Sequence, residues 1–316
     1  MKFHQLQALI AVADGGGIRA AARILGLSQS AITRALREME EEKGLSLLVR
    51  HAGGARLSDA GLVLLPHARQ VASQLEDAER DLANLRGEVS SRLCIGVTPW
   101  FGQTLLAAVV QAFRREMPEV QLELYEGLQA VSLPLLRSGV MHFALGPAGT
   151  LPIQEFVHTP LARYRMKVIV RKGHSLHQAR SLTQLVEEGW AMNFTRSNCL
   201  QVMALLFGRH GLQVPLSRIV CAQSSSMLSA LIVDAGMLGY SPEPMLLCEP
   251  LKESTLALSL EEPLPDGDLS VIRLRDRALD STARCFIQIS QQVMKNCGRS
   301  RNIMGRNLAG MLDLLF

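Results

Sequence analysis

The chain has 316 residues, of which 48% are apolar and 20% are charged, and its mean hydropathy is +0.15. This composition is typical of a globular protein long enough to form two or three hydrophobic cores. The sequence has no uninterrupted apolar run of about 18 residues and no signal-peptide core, so we expect a soluble, cytoplasmic protein that does not enter a membrane. The six cysteines form no CxxC pair, and we expect them to be reduced thiols rather than disulfides or zinc ligands.

The net charge of +4 is unevenly distributed along the chain. Residues 1–57 carry eight basic and five acidic groups, and residues 295–316 carry four basic groups and one acidic group. The long middle part is close to neutral. A basic N-terminal segment on a near-neutral body indicates a module that binds a polyanion, joined to a part with another task.

The first 60 residues read as three short helices followed by a hairpin. Apolar spacing predicts a helix over 4–13, which a glycine run ends, and an alanine-rich helix over 18–25. Ser28 is placed as the N-cap of a third helix that continues to about residue 41. Two extended pieces, 45–50 and 56–57, flank a Gly-Gly turn. This order predicts a winged helix-turn-helix.

Residues 58–86 are predicted to form a long helix that pairs with a second copy of itself. Three heptads place Ala68, Leu75 and Leu82 at position a, and the d positions are Leu64, Val71, Ala78 and Leu85. Pro66 removes one helix hydrogen bond and is expected to bend the first turns.

From residue 92 onward, short apolar strands alternate with helical segments. Strands are predicted at 93–97, 120–125, 142–145, 167–170, 190–194 and 218–222, and helices at 103–116, 130–138, 181–187 and 199–210. Such alternation indicates parallel sheets covered by helices, here as two small α/β lobes.

Three enzymatic or metal-binding interpretations of short motifs are weak. The string from Gly15 to Ala20 matches a dinucleotide fingerprint, but the unit lacks the second parallel strand that such a site requires. The segment 239–243 lacks the final glycine of an esterase nucleophile elbow. His174 and His177 have no further ligand at metal-binding spacing, so an exposed loop is favoured. We therefore predict no catalytic residues, no metal and no cofactor.

The strongest signal is a dense match over residues 4–61. It consists of Leu6 to Ala13, Ala20 to Leu25, Leu27 to Thr33, Leu36, Glu40, Gly44, Leu47 to Arg50, and Leu57 to Gly61. This segment resembles the DNA-binding domain of LysR-type transcriptional regulators. Two positions depart from the pattern. Gly17 stands where a serine-type cap is usual, which should weaken the cap only slightly, and Ser30 stands where proline is common.

The third helix is expected to contact DNA. Gln and Arg side chains can pair with adenine and guanine edges, while Ser and Thr can reach bases or phosphates. The predicted DNA-binding residues are Ser28, Gln29, Ser30, Thr33, Arg34 and Arg37 on the helix, with Arg50 and Arg56 beside the wing turn. Ala31, Ile32, Ala35, Leu36 and Met39 are expected to pack inside. The alternative is a solvated basic face on a structural unit.

The rest of the chain, to about residue 295, more loosely resembles the effector domain of the same family, which has a two-lobed fold like that of periplasmic binding proteins. The resemblance implies a small-molecule effector between the lobes, where polar strand ends converge. The predicted effector-binding residues are Thr98, Trp100, Phe101, Gly102, Gln129, Thr195, Arg196, Ser197 and Ser225. Arg196 and a helix start after Thr98 favour an anionic effector. Ordinary turn chemistry is the alternative for each of these residues, and His142 is expected to be a packed histidine.

These observations predict a LysR-type regulator that is not an enzyme. The expected domains are a winged helix-turn-helix over 1–58, a linker helix over 59–88, lobe I over 92–163 and 268–296, lobe II over 164–267, and a C-terminal tail over 297–316. The expected partners are a double-stranded DNA operator, a small-molecule effector, further copies in a homodimer or homotetramer, and RNA polymerase if the protein is an activator. The alternative is a cytosolic solute-binding protein or metabolic enzyme with an accessory DNA-binding domain.

Overall fold

The computed structural model describes residues 1–51, 54–85, 92–149, 151–299 and 303–316. The chain divides into two compact units, one formed by Met1–Ser90 with Arg137–Val140 and one by Ser91–Leu136 with Met141–Phe316. Among the described residues, no helix is long and apolar enough to cross a membrane. All six cysteines are free thiols.

The first unit contains the predicted winged helix-turn-helix. Its elements are α1 (Phe3–Gly15), α2 (Ile18–Leu25), α3 (Gln29–Lys43), β1 (Leu48–His51), β2 (Gly54–Leu57) and α4 (Asp59–Leu85). The strands β1 and β2 pair antiparallel as the wing, and the turn residues 52–53 lie outside the described part. Leu9, Ile32 and Met39 are fully buried in the core that the three helices share. The helical spacing of these apolar residues therefore assembles the unit.

Two details of this unit differ from the sequence-based expectation. Ala31 is exposed rather than packed, because the first turn of α3 projects beyond the core that buries Ile32 and Ala35. Gly17, at the start of α2, has φ +155° and ψ 170°. Residues with a side chain rarely adopt this backbone conformation, so the start of α2 requires glycine here. The sequence predicted only a slightly weaker cap at Gly17.

Helix α4 spans 27 residues, with Pro66 inside it. Ala68 is 1% exposed and belongs to the core of the first unit, and Leu64 packs against that core. Leu64 and Ala68, in the first of the predicted heptads, therefore pack inside their own chain. The prediction that these two residues contact a second copy is wrong. Val71, Leu75 and Leu82 are 46%, 40% and 57% exposed. The side chain of Leu85 and residues 86–88 lie outside the described part.

The second unit contains two sheets with helices around them. Its elements are β3 (Arg92–Val97), α5 (Pro99–Thr104), α6 (Leu106–Glu116), β4 (Gln121–Glu126), α7 (Gln129–Arg137), β5 (Phe143–Gly146), β6 (Phe156–Tyr164), β7 (Met166–Arg171), β8 (Trp190–Met192), α8 (Arg196–Leu206), β9 (Ile219–Cys221), α9 (Ser225–Val233), β10 (Leu238–Pro242), α10 (Leu251–Ser254), β11 (Thr255–Ala257), β12 (Gly267–Leu274), α11 (Ser281–Cys297), α12 (Ile303–Ala309) and β13 (Leu312–Leu314).

The two sheets are mixed rather than purely parallel. One sheet has six strands in the order β13-β6-β12-β5-β3-β4, and the other has five in the order β11-β7-β10-β8-β9. The pairs β3–β4, β3–β5, β8–β9 and β8–β10 are parallel, whereas β6, β7, β11, β12 and β13 pair antiparallel with their neighbours. The prediction of parallel sheets is therefore correct only for the strands that helices connect, since a parallel neighbour needs a crossover.

Several predicted boundaries also change. The helix expected over 103–116 is two helices, α5 and α6, and the one expected over 181–187 is a 3-10 turn at Leu182–Leu185. The segment 297–316 is more than a tail. Within it, α12 packs on α11 and β13 adds an edge strand to β6. The six-stranded sheet thus takes its last strand from residues 312–314.

Candidate functional site

The start of α3 in the first unit is built by the predicted cap. The Ser28 hydroxyl accepts a hydrogen bond of 3.1 Å from the backbone N–H of Ala31 and lies 2.9 Å from the Ser30 hydroxyl. The Thr33 hydroxyl donates to the Gln29 carbonyl at 2.8 Å. These contacts order the first turn without burying its side chains, so the polar groups of Gln29 and Ser30 remain at the surface.

The other predicted DNA-binding residues lie on the same helix and on the wing. Arg34, Arg37 and Arg56 are exposed, and Arg37 pairs with Glu41 at 2.8 Å. Arg50 lies in β1 opposite Ala55, but its side chain is outside the described part. The helix therefore presents amide, hydroxyl and guanidinium groups on one exposed side, which is the set of groups that read base edges and phosphates.

One residue in this unit has a role that the sequence did not predict. The Glu40 carboxylate accepts hydrogen bonds from the backbone N–H groups of Leu47 and Leu48, at 2.7 and 3.0 Å. Glu40 therefore attaches the end of α3 to the first strand of the wing. In the sequence, Glu40 stood out only as one of the residues that match the family pattern. Its role could not be predicted, because its hydrogen-bond partners are backbone groups that a sequence does not reveal.

The structure also tests the dinucleotide and metal-site interpretations of the short motifs. The segment 15–17 joins α1 to α2, and the residues that follow are helical, so the dinucleotide interpretation fails. His174 is buried rather than exposed. Its Nδ1 accepts from the Leu176 N–H and its Nε2 lies 3.1 Å from the Gly236 carbonyl, so both nitrogens serve the local fold. No group of three or more metal-ligating side chains occurs among the described residues. His142 is buried and bonds through Nδ1 to the backbone of Cys94, as a packed histidine does.

A cavity of about 230 Å³ lies in the second unit, at the carboxyl ends of the parallel strands of both sheets. Such strand ends are the usual place for ligands in open α/β sheets. The apolar part of the wall consists of Pro99, Trp100, Leu128, Ala130, Pro147, Met166, Phe194, Val202, Leu205, Leu228, Pro242, Met245 and Pro265. The volume lies slightly below the range of about 300–1,000 Å³ that is common for ligand pockets, which suits a small molecule.

The cavity brings together only part of the predicted effector-binding set. Five of the predicted residues line it, namely Thr98, Trp100, Gln129, Thr195 and Ser225. The other four do not, which corrects their assignment. Phe101 is fully buried in the hydrophobic core and Gly102 lies against Val97. Arg196 and Ser197 are exposed on the first turn of α8.

Several buried polar atoms of the wall have no hydrogen bond among the described residues. They include the hydroxyl of Ser241, which is 1% exposed, and the amide oxygen of Asn193. The indole N–H of fully buried Trp100 forms no hydrogen bond of normal geometry, although it lies near enough to the Tyr164 hydroxyl to lower the pKa of that phenol. Buried polar atoms without partners are costly, so these atoms suit a ligand or water in the cavity.

Two side-chain contacts connect the two sheets beside the cavity. Asn198 of α8 donates from its amide nitrogen to the Gln129 oxygen of α7 at 2.6 Å. The hydroxyl of Ser225, at the start of α9, donates to the Glu126 carboxylate at the end of β4. Glu126 thus places a negative charge at a helix N-terminus, where it is stabilised.

Two family descriptions match the chain. "Bacterial regulatory helix-turn-helix protein, lysR family" matches residues 3–62, and "LysR substrate binding domain" matches residues 86–295. The transcriptional regulator TdcA of Escherichia coli K12 is 22% identical over 89% of both chains. A probable nitrogen assimilation transcriptional activator of Synechococcus elongatus is 24% identical over 87% of this chain and 92% of its own.

Solved structures share the fold. The LysR family regulator CbnR has a TM-score of 0.63 at 20% identity, covering 93% of this chain and 99% of its own. CbnR has also been solved with its target DNA, and that chain matches with a TM-score of 0.61 at 20% identity, covering 93% of this chain and all of its own. Two family matches in the expected order, over a helix-turn-helix unit and a two-sheet unit with a cavity, identify the chain as a member of the LysR family of transcriptional regulators, with an N-terminal DNA-binding domain and an effector-binding domain.

Proposed function

We propose that the first unit recognises an operator through the exposed side of α3 and contacts phosphate through the wing. The observation that carries this proposal is the separation of two faces on α3. Ile32, Leu36 and Met39 fill the core, while Gln29 and Arg34 are left to solvent. A helix-turn-helix inserts such an exposed face in the major groove, where its N-terminal residues reach base edges. Ser28, Ser30, Thr33, Arg37, Arg50 and Arg56 complete the proposed contact set.

We further propose that α4 pairs with α4 of a second copy. Val71, Leu75 and Leu82 lie about one or two turns apart on α4 and are left exposed. Apolar side chains at heptad spacing favour helix pairing because the contact removes them from water. Two helix-turn-helix units in one dimer would match an operator with two half-sites. The same proposal includes three further points. Two such dimers would form a homotetramer, the protein would be located in the cytoplasm, and it would contact RNA polymerase if it is an activator.

The cavity of the second unit is the proposed effector site. Thr98, Trp100, Gln129, Thr195 and Ser225 line it, and atoms of both sheets form its wall. A molecule held there would favour one arrangement of the two sheets, and an effector acts only through such differential affinity. The anionic effector that Arg196 and the helix start after Thr98 favoured has less support, because Arg196 does not line the cavity.

Operator binding can be tested with a random pool of double-stranded DNA. Fragments that bind the full-length protein are selected from the pool, and the affinity of the recovered sequence is measured by fluorescence anisotropy. We expect Arg34→Ala to weaken binding by about 1–3 kcal/mol and to relax the preference at one base pair. Arg209→Ala serves as the control, since Arg209 is an exposed arginine of the second unit and its loss removes the same charge.

Arg56→Ala is the complementary variant for phosphate contact. It should weaken binding to all sequences similarly and lower the slope of log affinity against log salt by about 0.9. If Arg34→Ala and Arg209→Ala bind the selected operator equally well, the proposed recognition face is wrong.

A further inference from the structure

The charged groups of the effector cavity are all acidic in the described part of the chain. Asp266 and Asp268 line the cavity, and neither lysine, arginine nor histidine does. Glu126 adds a third carboxylate through its bond to the lining residue Ser225. An anionic ligand would therefore enter a site that already carries negative charge, without a cation to offset the repulsion.

The side chain of Asp268 accepts its hydrogen bonds from neutral donors. The backbone N–H of Ala148 lies 3.1 Å from both of its oxygens, and the Ser270 hydroxyl donates to one of them at 2.6 Å. Arg163 lies opposite Asp268 in the β6–β12 register, but it is exposed and forms no ion pair with Asp268 in the structure as described. The negative charge of Asp268 is thus oriented by hydrogen bonds while no cation neutralises it.

The two aspartates line the cavity on either side of Gly267, which lies against the lining residue Tyr164. Between them, Gly267 packs so closely on Tyr164 that a side chain there would come within 2.2 Å of the ring. Burial raises the pKa of Tyr164, and the charge of Asp268 raises it further; burial and then Asp266 act in the same way on the pKa of Tyr240. Both carboxylates therefore act electrostatically on phenol side chains of the wall.

The other residues of the cavity wall indicate which further groups the ligand has. It is largely apolar, and the Ser241 hydroxyl and the Trp100 indole N–H are buried without a well-formed hydrogen bond among the described residues. These atoms belong to residues that line the same cavity as the aspartates, so they are an independent sign that this cavity binds a ligand. An apolar body satisfies the wall, and one polar group can bond to Ser241 or Trp100.

From this juxtaposition we propose that the effector is a small amine, with its ammonium group paired to Asp268 and Asp266 and its apolar body against Trp100, Met166 and Leu228. This inference rests on the proposed function, because it assigns a chemical class to the same cavity. An ammonium group that leaves bulk water needs a carboxylate partner, which the half-buried Asp268 and the exposed Asp266 supply. Aromatic side chains such as Trp100 and Tyr164 also favour a cation near their ring faces.

The test uses three series of small molecules of about nine to twelve non-hydrogen atoms, built on matched aromatic and aliphatic skeletons. The series differ only in the head group, as in 2-phenylethylamine, 2-phenylethanol and 3-phenylpropionate. Binding to the full-length protein is measured by thermal shift and calorimetry. We expect the amines to bind best, the alcohols weakly and the carboxylates not at all. Superior binding by carboxylates, or no binding by any amine of the panel, overturns the proposal.

Variants locate the ammonium group. Asp268→Asn should lower the affinity for the best amine at least about tenfold, because it removes a half-buried charged partner, and the exposed Asp266→Asn should lower it several-fold. Both variants should change the affinity for the matched alcohol much less, because its hydroxyl carries no charge. Asp268→Asn also alters bonds to Ala148 and Ser270, so Asp266→Asn, which lacks that structural role, provides the second readout. Asp276→Asn is the control for net charge. Equal amine affinity in all variants overturns the assignment.

Operator binding separates this inference from the proposed function. If an amine binds in the cavity and leaves operator affinity unchanged, the proposed effector role fails while the chemical class stands. If carboxylates bind and change operator affinity, the class fails while the effector role stands.

Discussion

Glu40 offers the sharpest test of how the wing is attached to α3. Its carboxylate accepts two backbone hydrogen bonds, from the N–H groups of Leu47 and Leu48. A hydrogen bond to a charged group contributes about 1.5–3 kcal/mol when water is excluded. Glu40 is only half-buried, so water replaces part of this interaction in the Glu40→Ala variant. We expect the first unit to lose about 2 kcal/mol of stability, which is less than the sum of two full bonds.

Glu41→Ala is the matched control, since it removes the same charge one position further along α3. Among the described residues, Glu41 pairs only with Arg37, and the two side chains are 63% and 76% exposed. Exposed helix pairs of this kind contribute about 0.3–0.5 kcal/mol. The two variants should therefore differ by more than about 1 kcal/mol, although their net charges are equal.

The assay exploits the distribution of tryptophan. Trp100 and Trp190 are the only tryptophans in the sequence, and both belong to the second unit. In a urea titration, tryptophan fluorescence therefore reports on the second unit, while far-UV circular dichroism includes the helices of both. Glu40→Ala should move the dichroism transition of the first unit by about 1 M, for a slope of about 2 kcal/mol per M, and leave the fluorescence transition in place. Identical dichroism transitions in Glu40→Ala and Glu41→Ala would refute the reasoning.

Three further outcomes are expected. The double variant Leu75→Glu/Leu82→Glu should dissociate the proposed α4 pairing, as measured by light scattering, because it places like charges in an apolar contact. Gly61→Ala should destabilise the first unit by about 1–3 kcal/mol in the dichroism assay, since the new Cβ would lie 2.3 Å from the Leu47 carbonyl oxygen, which outweighs the gain in helix propensity. The hydroxyl of Tyr125 and then the guanidinium of Arg92 lower the pKa of Glu123 from its usual 4.5, so the stability that Glu123 contributes is present above pH 4.5 and is lost as the pH falls through the lowered value.

Each of these outcomes has a control. An unchanged oligomer in the double leucine variant would mean that other surfaces assemble the protein. Gly208→Ala should be neutral, because a Cβ at Gly208 meets no atom within 4 Å. Glu123→Gln should be less stable than the parent protein at pH 7 by fluorescence and approach it at low pH. A constant difference between the two proteins at all pH values would contradict the assigned role of Glu123.

The helix-turn-helix could be predicted because its signals are local. Ser28 acts as an N-cap within three residues, and the structure confirms this prediction. Gly26 and Gly44, which end α2 and α3 in the left-handed conformation, act just as locally. The expectation that Ala31 packs inside is wrong, because periodicity gives the face of a helix but not the point at which the core ends.

The second unit was harder to predict because its pairings are distant in sequence. Strand β6 contains Pro160, which argues against an interior strand. The structure accommodates Pro160 opposite Ser270, where the register of β6 and β12 shifts, and this irregularity could not be foreseen from either segment. The same applies to the cavity wall. Ser241 and Asp268 are separated from Trp100 by more than 140 residues, and only the folded sheets bring them together.

The order of the strands has a consequence for protein synthesis. The five-stranded sheet uses only residues 166–257, whereas the six-stranded sheet begins at residue 92 and receives β12 and β13 after that segment. On the ribosome, the later-starting sheet is therefore complete first. The strand β13 emerges 57 residues after the end of β11, which corresponds to roughly 3–11 s of elongation. Until β12 emerges, β6 lacks both of its neighbours, β12 and β13, and exposes unpaired backbone groups. Nascent chains whose emerged part ends between residues 257 and 274 should accordingly be the species most in need of a chaperone.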